Sequence, residues 1–501
     1  MKRRQILTLS ALALALPYRS LFAQAHHGMQ HRNMDMSGHH SGSNSGLLAL
    51  GALPHGERLR PLEKLQNEST QAGRFTARLS AQTQGIKLAK PYVSQMYTYN
   101  GNAPGPLIEV YEGDTVDILF YNQLPEATTV HWHGLPVPPD QDGNPQDPVA
   151  PGEQRHYRFT LPEGSAGTYW YHPHPHGQTA MQVARGLAGT LIVHSRTDPL
   201  AEMPEQHWMI SDLRLDEQAQ IPPNTMLDWM NGREGQFILI NGQYQPSTSL
   251  APNTRLRIWN SCSARYLRLQ VDGCQWVLLG TDGGLLESAR PPSDELLLVP
   301  GQRVEALLIS EQDRATTLRA LYYDRHKMMV EERPQDYVLA HVQVPKQGNN
   351  FVPARLRDTI HLGQPTAKKK VTFSEMDMSH DDHDMSMSML QSMFMINGKV
   401  YNMDRIDLQS KLGEVELWQV FNDSHMDHPF HLHGTQFIVT EREQAGQRLT
   451  EPYPAWRDTI NLQPYETVYF LVKQDQPGIR MFHCHILEHE DLGMMANLLV
   501  S

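Results

Sequence analysis

The sequence predicts an all-β protein made of three consecutive β-sandwich domains, and three observations carry that prediction. From Phe75 onward, short β-rich runs alternate with clusters of Gly, Pro, Asn and Asp, and stretches of helical period are few. One pattern, an Asn-Gly turn followed by a strand of alternating character, occurs three times. The chain of 501 residues then divides into units of roughly 130 to 150 residues, an ordinary size for a sandwich domain.

Residues 1–25 read as an export signal. Lys2, Arg3 and Arg4 supply the charged start, Ile6 to Leu16 is apolar but too short to span a bilayer, and Ala23-Gln24-Ala25 is a cleavage site. Arg3-Arg4 before Gln5-Ile6-Leu7 resembles a twin-arginine signal, with an ordinary secretory signal as the alternative, and predicts a periplasmic location. No later apolar run reaches transmembrane length, so no membrane span is expected. Residues 26–72 are polar, with His and Met scattered through Ser, Gly and Asn, and read as a linker.

In the first copy, Asn100-Gly101 leads to Pro106–Val110 and Asp114–Phe120; in the second, Asn241-Gly242 leads to Arg255–Asn260. In the third, Asn397-Gly398 leads to Glu414–Asn422, and the last two of these strands end at Asn. Domain boundaries fall near 200 and 350, giving 73–200, 201–350 and 351–501.

The net charge of -12 excludes nucleic acid as an expected partner, because phosphate binding needs a basic face. Against an ordinary background of 40% hydrophobic residues, the chain has 26 His, 24 Met and only 3 Cys. Cys262 and Cys274 are either a disulfide or two buried thiols, and Cys484 stands alone among histidines.

Histidines cluster in copies one and three. His131-Trp132-His133 and His172-Pro173-His174 belong to the first, and His431-Leu432-His433 and His483-Cys484-His485 to the third. Residues i and i+2 of a strand project to the same side, so each pair presents two imidazoles together. Cys484 therefore faces one site while its two neighbours face another. Cys484, His489 and Met494 recur at five-residue steps along a loop, with His428 nearby in the third copy. Two His, one Cys and a weak axial Met form the ligand set of a blue-copper electron-transfer site. Imidazole-only ligation with open positions suits copper that must bind oxygen. Chance gives on the order of one His-x-His in a chain of this composition, whereas four stand here in matched places.

His131–Gly134, Trp170–His174, His428–Gly434 and His483–Met495 resemble the four copper motifs of the three-domain multicopper oxidases, the laccase-like enzymes. The resemblance runs from about residue 75 to the end. It implies three cupredoxin-like Greek-key β-sandwich domains and four copper ions, one type 1, one type 2 and two type 3. It gives the type 1 ion to His428, Cys484, His489 and Met494, and the type 2 ion to His131 and His431. One type 3 ion falls to His133, His172 and His485, the other to His174, His433 and His483. Asp142 and Glu490 match the family's proton-relay carboxylates. The implied reaction is one-electron oxidation of a donor coupled to reduction of O2 to water; a monomer is expected, although nothing in the sequence bears on oligomeric state.

The donor is suggested by residues 374–395, where Met, Asp, His and Ser alternate. Thioethers select Cu(I), and carboxylate and imidazole accept Cu(II). The segment resembles the Met-rich insertion of periplasmic cuprous oxidases that confer copper tolerance. That likeness points to Met376, Met378, Asp381 and Met426 as residues for substrate copper, with Ser424 where an acid is expected. The alternatives are a laccase-like oxidase of phenols or other small reductants, and a scaffold protein without turnover, although scaffold relatives lose ligands that are all present here.

Overall fold

In the computed structural model the residues described are 46–347, 352–376 and 390–501. The export signal, the first part of the 26–72 segment, Met378 and Asp381 lie outside them.

Six sheets pair into three sandwiches. In each, alternating side chains of both sheets meet in one apolar core: around Phe120 and Trp132, then Trp208 and Trp276, then Trp418 and Phe430. The repeated strands are Thr115–Gln123, Arg255–Asn260 and Val415–Asp423. Each runs parallel to the first strand of its own sandwich and antiparallel to a later one. The three Asn-Gly turns share a conformation that few other residue pairs tolerate: φ is +52° and +79° at Asn100-Gly101, +51° and +75° at Asn241-Gly242, and +52° and +69° at Asn397-Gly398.

All three repeated strands carry an Asn latch, including the first, where the sequence pattern was not recognised. Asn122 donates to the carbonyls of Glu126 and Val149, Asn260 to those of Arg265 and Leu298, and Asn422 to those of Met426 and Leu462. The latch fixes the loop that follows, and in copies one and three that loop leads into the first histidine motif.

Residues 46–72 run as an extended strap. Its backbone bridges to Asp216, Ser247 and Leu107, and so touches both the first and second sandwiches. Both ends of the 374–395 insertion belong to a sheet: Ala367–Glu375 and Phe394–Ile396 pair antiparallel, with Glu375 opposite Phe394.

Candidate metal centre

Strand pairing brings the histidine motifs together. His131 lies opposite His172, and His431 opposite His483, so the four pairs converge from the first and third sandwiches. All eight imidazoles are fully buried. His131 Nε2 is 3.4 Å from His431 Nε2, and His133 Nδ1 is 3.4 Å from His172 Nε2. His483 Nε2 lies 3.2 Å from His174 Nε2 and 3.0 Å from His433 Nε2. Three-residue sets with ligand atoms within 4.8 Å of one another include His131–His133–His172, His131–His431–His433 and His174–His433–His483.

The nitrogens pointing away from these contacts are mostly engaged. Nδ1 of His172, His431 and His483 faces the carbonyls of Pro173, Asp458 and Cys484 at 2.9 Å. Asp142 spans two rings, with Oδ1 3.1 Å from His131 Nδ1 and Oδ2 3.2 Å from His433 Nδ1. Such contacts fix ring orientation, as ligand geometry requires. His485 packs 4.9 Å from the His133 ring centroid, and neither of its nitrogens has a hydrogen-bond partner among the described residues. Burial first, then the neighbouring imidazoles, drives the pKa of His133, His174, His433 and His485 far down, and burial takes His483 to about 3. These rings are neutral, the form that binds a metal.

Cys484 points the other way, as the strand alternation requires. Its Sγ is 3.4 Å from His428 Nδ1 and 3.9 Å from His489 Nδ1. Met494 is buried in the same core and its carbonyl accepts from the Cys484 N–H. The segment between Cys484 and Met494 is not simply a loop: Leu487–Asp491 form a helical turn, which the five-residue spacing did not reveal. The turn swings His489 back toward Cys484 and sends Glu490 to the other centre. Glu490 is buried, its carboxylate 3.4 Å from both His174 Nε2 and His483 Nδ1. Burial pushes the Cys484 thiol well up, so the thiolate needs a cation beside it.

Sequence reasoning missed three residues. Asp458 places Oδ1 3.0 Å from His133 Nε2, and Arg303, from the sandwich without histidine pairs, grips that carboxylate. Glu375 sits at the root of the insertion, with Oε1 2.9 Å from His428 Nε2 and Oε2 2.9 Å from His425 Nδ1. Only their partners, brought close by folding, mark them. Among the residues expected to hold substrate copper, Met376 is half-buried beside Glu375 and Met426 is fully buried. Ser424 turns inward and donates to Asn422 Oδ1.

A thiolate–imidazole set with a thioether nearby fits copper, and so does an imidazole cluster with an unpartnered ring. The fold and the donor sets define a copper redox protein whose two kinds of site are joined through His483-Cys484-His485. Sequence profiles described as "Multicopper oxidase" match residues 81–198 and 345–501. A multicopper oxidase of Staphylococcus aureus is 31% identical over 434 residues, covering 84% of this chain and 88% of that protein. The solved structure "Multicopper oxidase from Campylobacter jejuni: a metallo-oxidase" has 50% identity and a TM-score of 0.89, covering 91% of this chain and 98% of that one. A laccase-like multicopper oxidase, CueO, from Ochrobactrum sp. has 28% identity and a TM-score of 0.74, covering 88% and 100%. This chain belongs to the multicopper oxidase family. It is an oxidoreductase that uses O2, with four copper ions of types 1, 2 and 3 as cofactor.

Proposed function

We propose that this protein is a cuprous oxidase of the periplasm, exported by the twin-arginine route, that serves copper tolerance. Four Cu(I) ions each give up one electron, and one O2 takes up four electrons and four protons to become two waters. When bound, the resident coppers supply the one-electron transfers and the reduction of O2. We read the three sandwiches as domains with boundaries near 200 and 350. His428, Cys484, His489 and Met494 would hold the type 1 ion, and His131 and His431 the type 2 ion. His133, His172 and His485 would hold one type 3 ion, and His174, His433 and His483 the other.

Asp142 contacts His131 and His433, Glu490 contacts His174 and His483, and these two carboxylates are the groups that carry protons. The cuprous reading rests on where the insertion begins and ends. Glu375 at one root touches His428, and Phe394 at the other stacks on His489 at 3.8 Å. Whatever residues 377–389 capture is thus delivered beside the ligands of one site. Met376 adjoins Glu375, which supplies the carboxylate that Ser424 lacks; Met378 and Asp381 keep their proposed role as residues for substrate copper. Carboxylate and imidazole favour Cu(II) over Cu(I), which makes an ion held there a better reductant.

The second reading, oxidation of phenolic or other small reductants, draws on the Ochrobactrum neighbour, described as active towards lignin model compounds. Steady-state O2 uptake with Cu(I) and with a phenol, before and after replacing 377–389 by a short Gly-Ser link, decides between them. The cuprous reading expects Cu(I) to dominate and the replacement to shift the ratio toward phenol. Dominant phenol oxidation in both proteins overturns it.

A further inference from the structure

We propose that the middle sandwich, which brings no histidine pair, supplies the positioning residue of the imidazole cluster. Arg303, acting through Asp458, fixes which nitrogen of His133 faces the metal. Arg303 is fully buried and its fork grips Asp458 with both ends, Nη1 to Oδ1 at 2.7 Å and Nη2 to Oδ2 at 2.6 Å. Its remaining donors reach the carbonyls of Thr168 at 2.7 Å and Gly301 at 2.9 Å. A guanidinium held on three sides leaves the carboxylate it grips one orientation. Gln436, donating to Oδ2 at 2.7 Å, agrees with that orientation.

The consequence lies on the far side of Asp458. A carboxylate paired with a guanidinium only accepts, so His133 Nε2, 3.0 Å from Oδ1, carries the ring hydrogen. The lone pair then sits on Nδ1, the nitrogen facing His172. His131, His431 and His433 are turned the opposite way, each with Nδ1 engaged and Nε2 toward its neighbours. Asp458 also takes His431 Nδ1 on its main-chain carbonyl, so one residue orients two rings that stack 3.7 Å apart. The backbone of the middle sandwich presses on the cluster directly as well. At Gly301, where φ is +87°, a Cβ would stand 3.1 Å from both His133 Cε1 and His485 Cδ2. The middle sandwich thus completes a site to which it gives no ligand.

This rests on reading the eight imidazoles as copper ligands, and the two claims fail differently. A wild-type protein that carries copper only at Cys484 sinks that reading before any variant is made. The test of the positioning role compares copper-loaded wild type with Arg303→Gln, Arg303→Lys and Arg257→Gln. Arg257 is a neighbouring buried arginine that bonds Thr168 Oγ1 and Glu305 but does not touch Asp458. Total copper per chain is followed during competition with a chelator, with the thiolate–copper absorbance as an internal measure of folding. The expected result is that Arg303→Gln keeps the absorbance while cluster affinity falls about 10–100-fold, the usual cost of losing a residue that orients a ligand. Arg303→Lys falls in between, because an ammonium cannot make both contacts, and Arg257→Gln holds its copper. Retention of cluster copper by Arg303→Gln at wild-type affinity overturns the proposal. Equal loss in Arg257→Gln also overturns it, since domain docking alone would then be responsible. If Arg303→Gln loses the absorbance too, Asp458→Asn, which leaves Arg303 in place but removes the carboxylate that faces His133 Nε2, is judged by the same two criteria.

Discussion

The two sites on either side of Cys484 are one residue apart in sequence and opposite in construction. The imidazole cluster lies in a polar cage with Asp142, Asp458 and Glu490 against its rings, drawn from two sandwiches and clamped by a third. The Cys484 site lies within a single core, packed by Phe373, Phe394, Phe430 and Met494. There His489 Nε2 faces the Met230 carbonyl at 3.1 Å, and His428 leads outward, through Glu375 to half-exposed His425. The proposed roles account for the contrast: chemistry that consumes protons needs acids at hand, whereas a site passing single electrons is best kept dry, with its potential set by the apolar shell. The chain builds both from one strand because alternate residues face opposite ways.

Variants that spare one site and damage the other test this division. Cys484→Ser is expected to have the largest effect. It removes the thiolate from which the short backbone path to both flanking imidazoles starts, so the absorbance and O2 uptake disappear together. Uptake surviving in a colourless protein would mean that donors reach the cluster by another road. Asp142→Asn or Glu490→Gln should leave the absorbance intact and lower turnover about a hundredfold or more, the typical worth of a positioned proton carrier. Single-turnover reduction of the thiolate–copper band should stay fast in both, placing the defect on the oxygen side. A slowed band reduction would show that the two sites are not separable in this way.

How far these sites were legible in the sequence follows from how local each is. The histidine pairs and Cys484 could be read because strand alternation alone decides which way they face. The repeat was visible because an Asn-Gly pair with two positive φ angles leaves few substitutes. Asp458, Arg303 and Glu375 could not be read, since each acquires its role from a ring far away in sequence, as His133 does for Asp458. Ser424 shows the same limit from the other side. Its position matched the expected acid, but the Asn422 latch turns it inward, and the carboxylate near His428 comes from a different strand. Nor did spacing reveal the helical turn at Leu487–Asp491, which is too short to show a period.

Glu375→Gln should produce the smallest change and sharpen the comparison most. The amide keeps the shape of the side chain and can still accept from His428, but the charge shared between His428 and His425 is gone. Copper at the imidazole cluster, on the far side of Cys484, should be held as in the wild type. A charge-assisted contact is worth about 1.5 kcal/mol, so kcat/KM for Cu(I) should fall on the order of tenfold relative to that for a phenol. On the cuprous reading a cation docks on this carboxylate, whereas a neutral phenol has no use for it, so the ratio of the two donors isolates docking from any general shift in the site. Equal losses for both donors would mean that Glu375 acts only by holding the His428 ring, and the way out of the dry site would then have to be sought elsewhere on its surface.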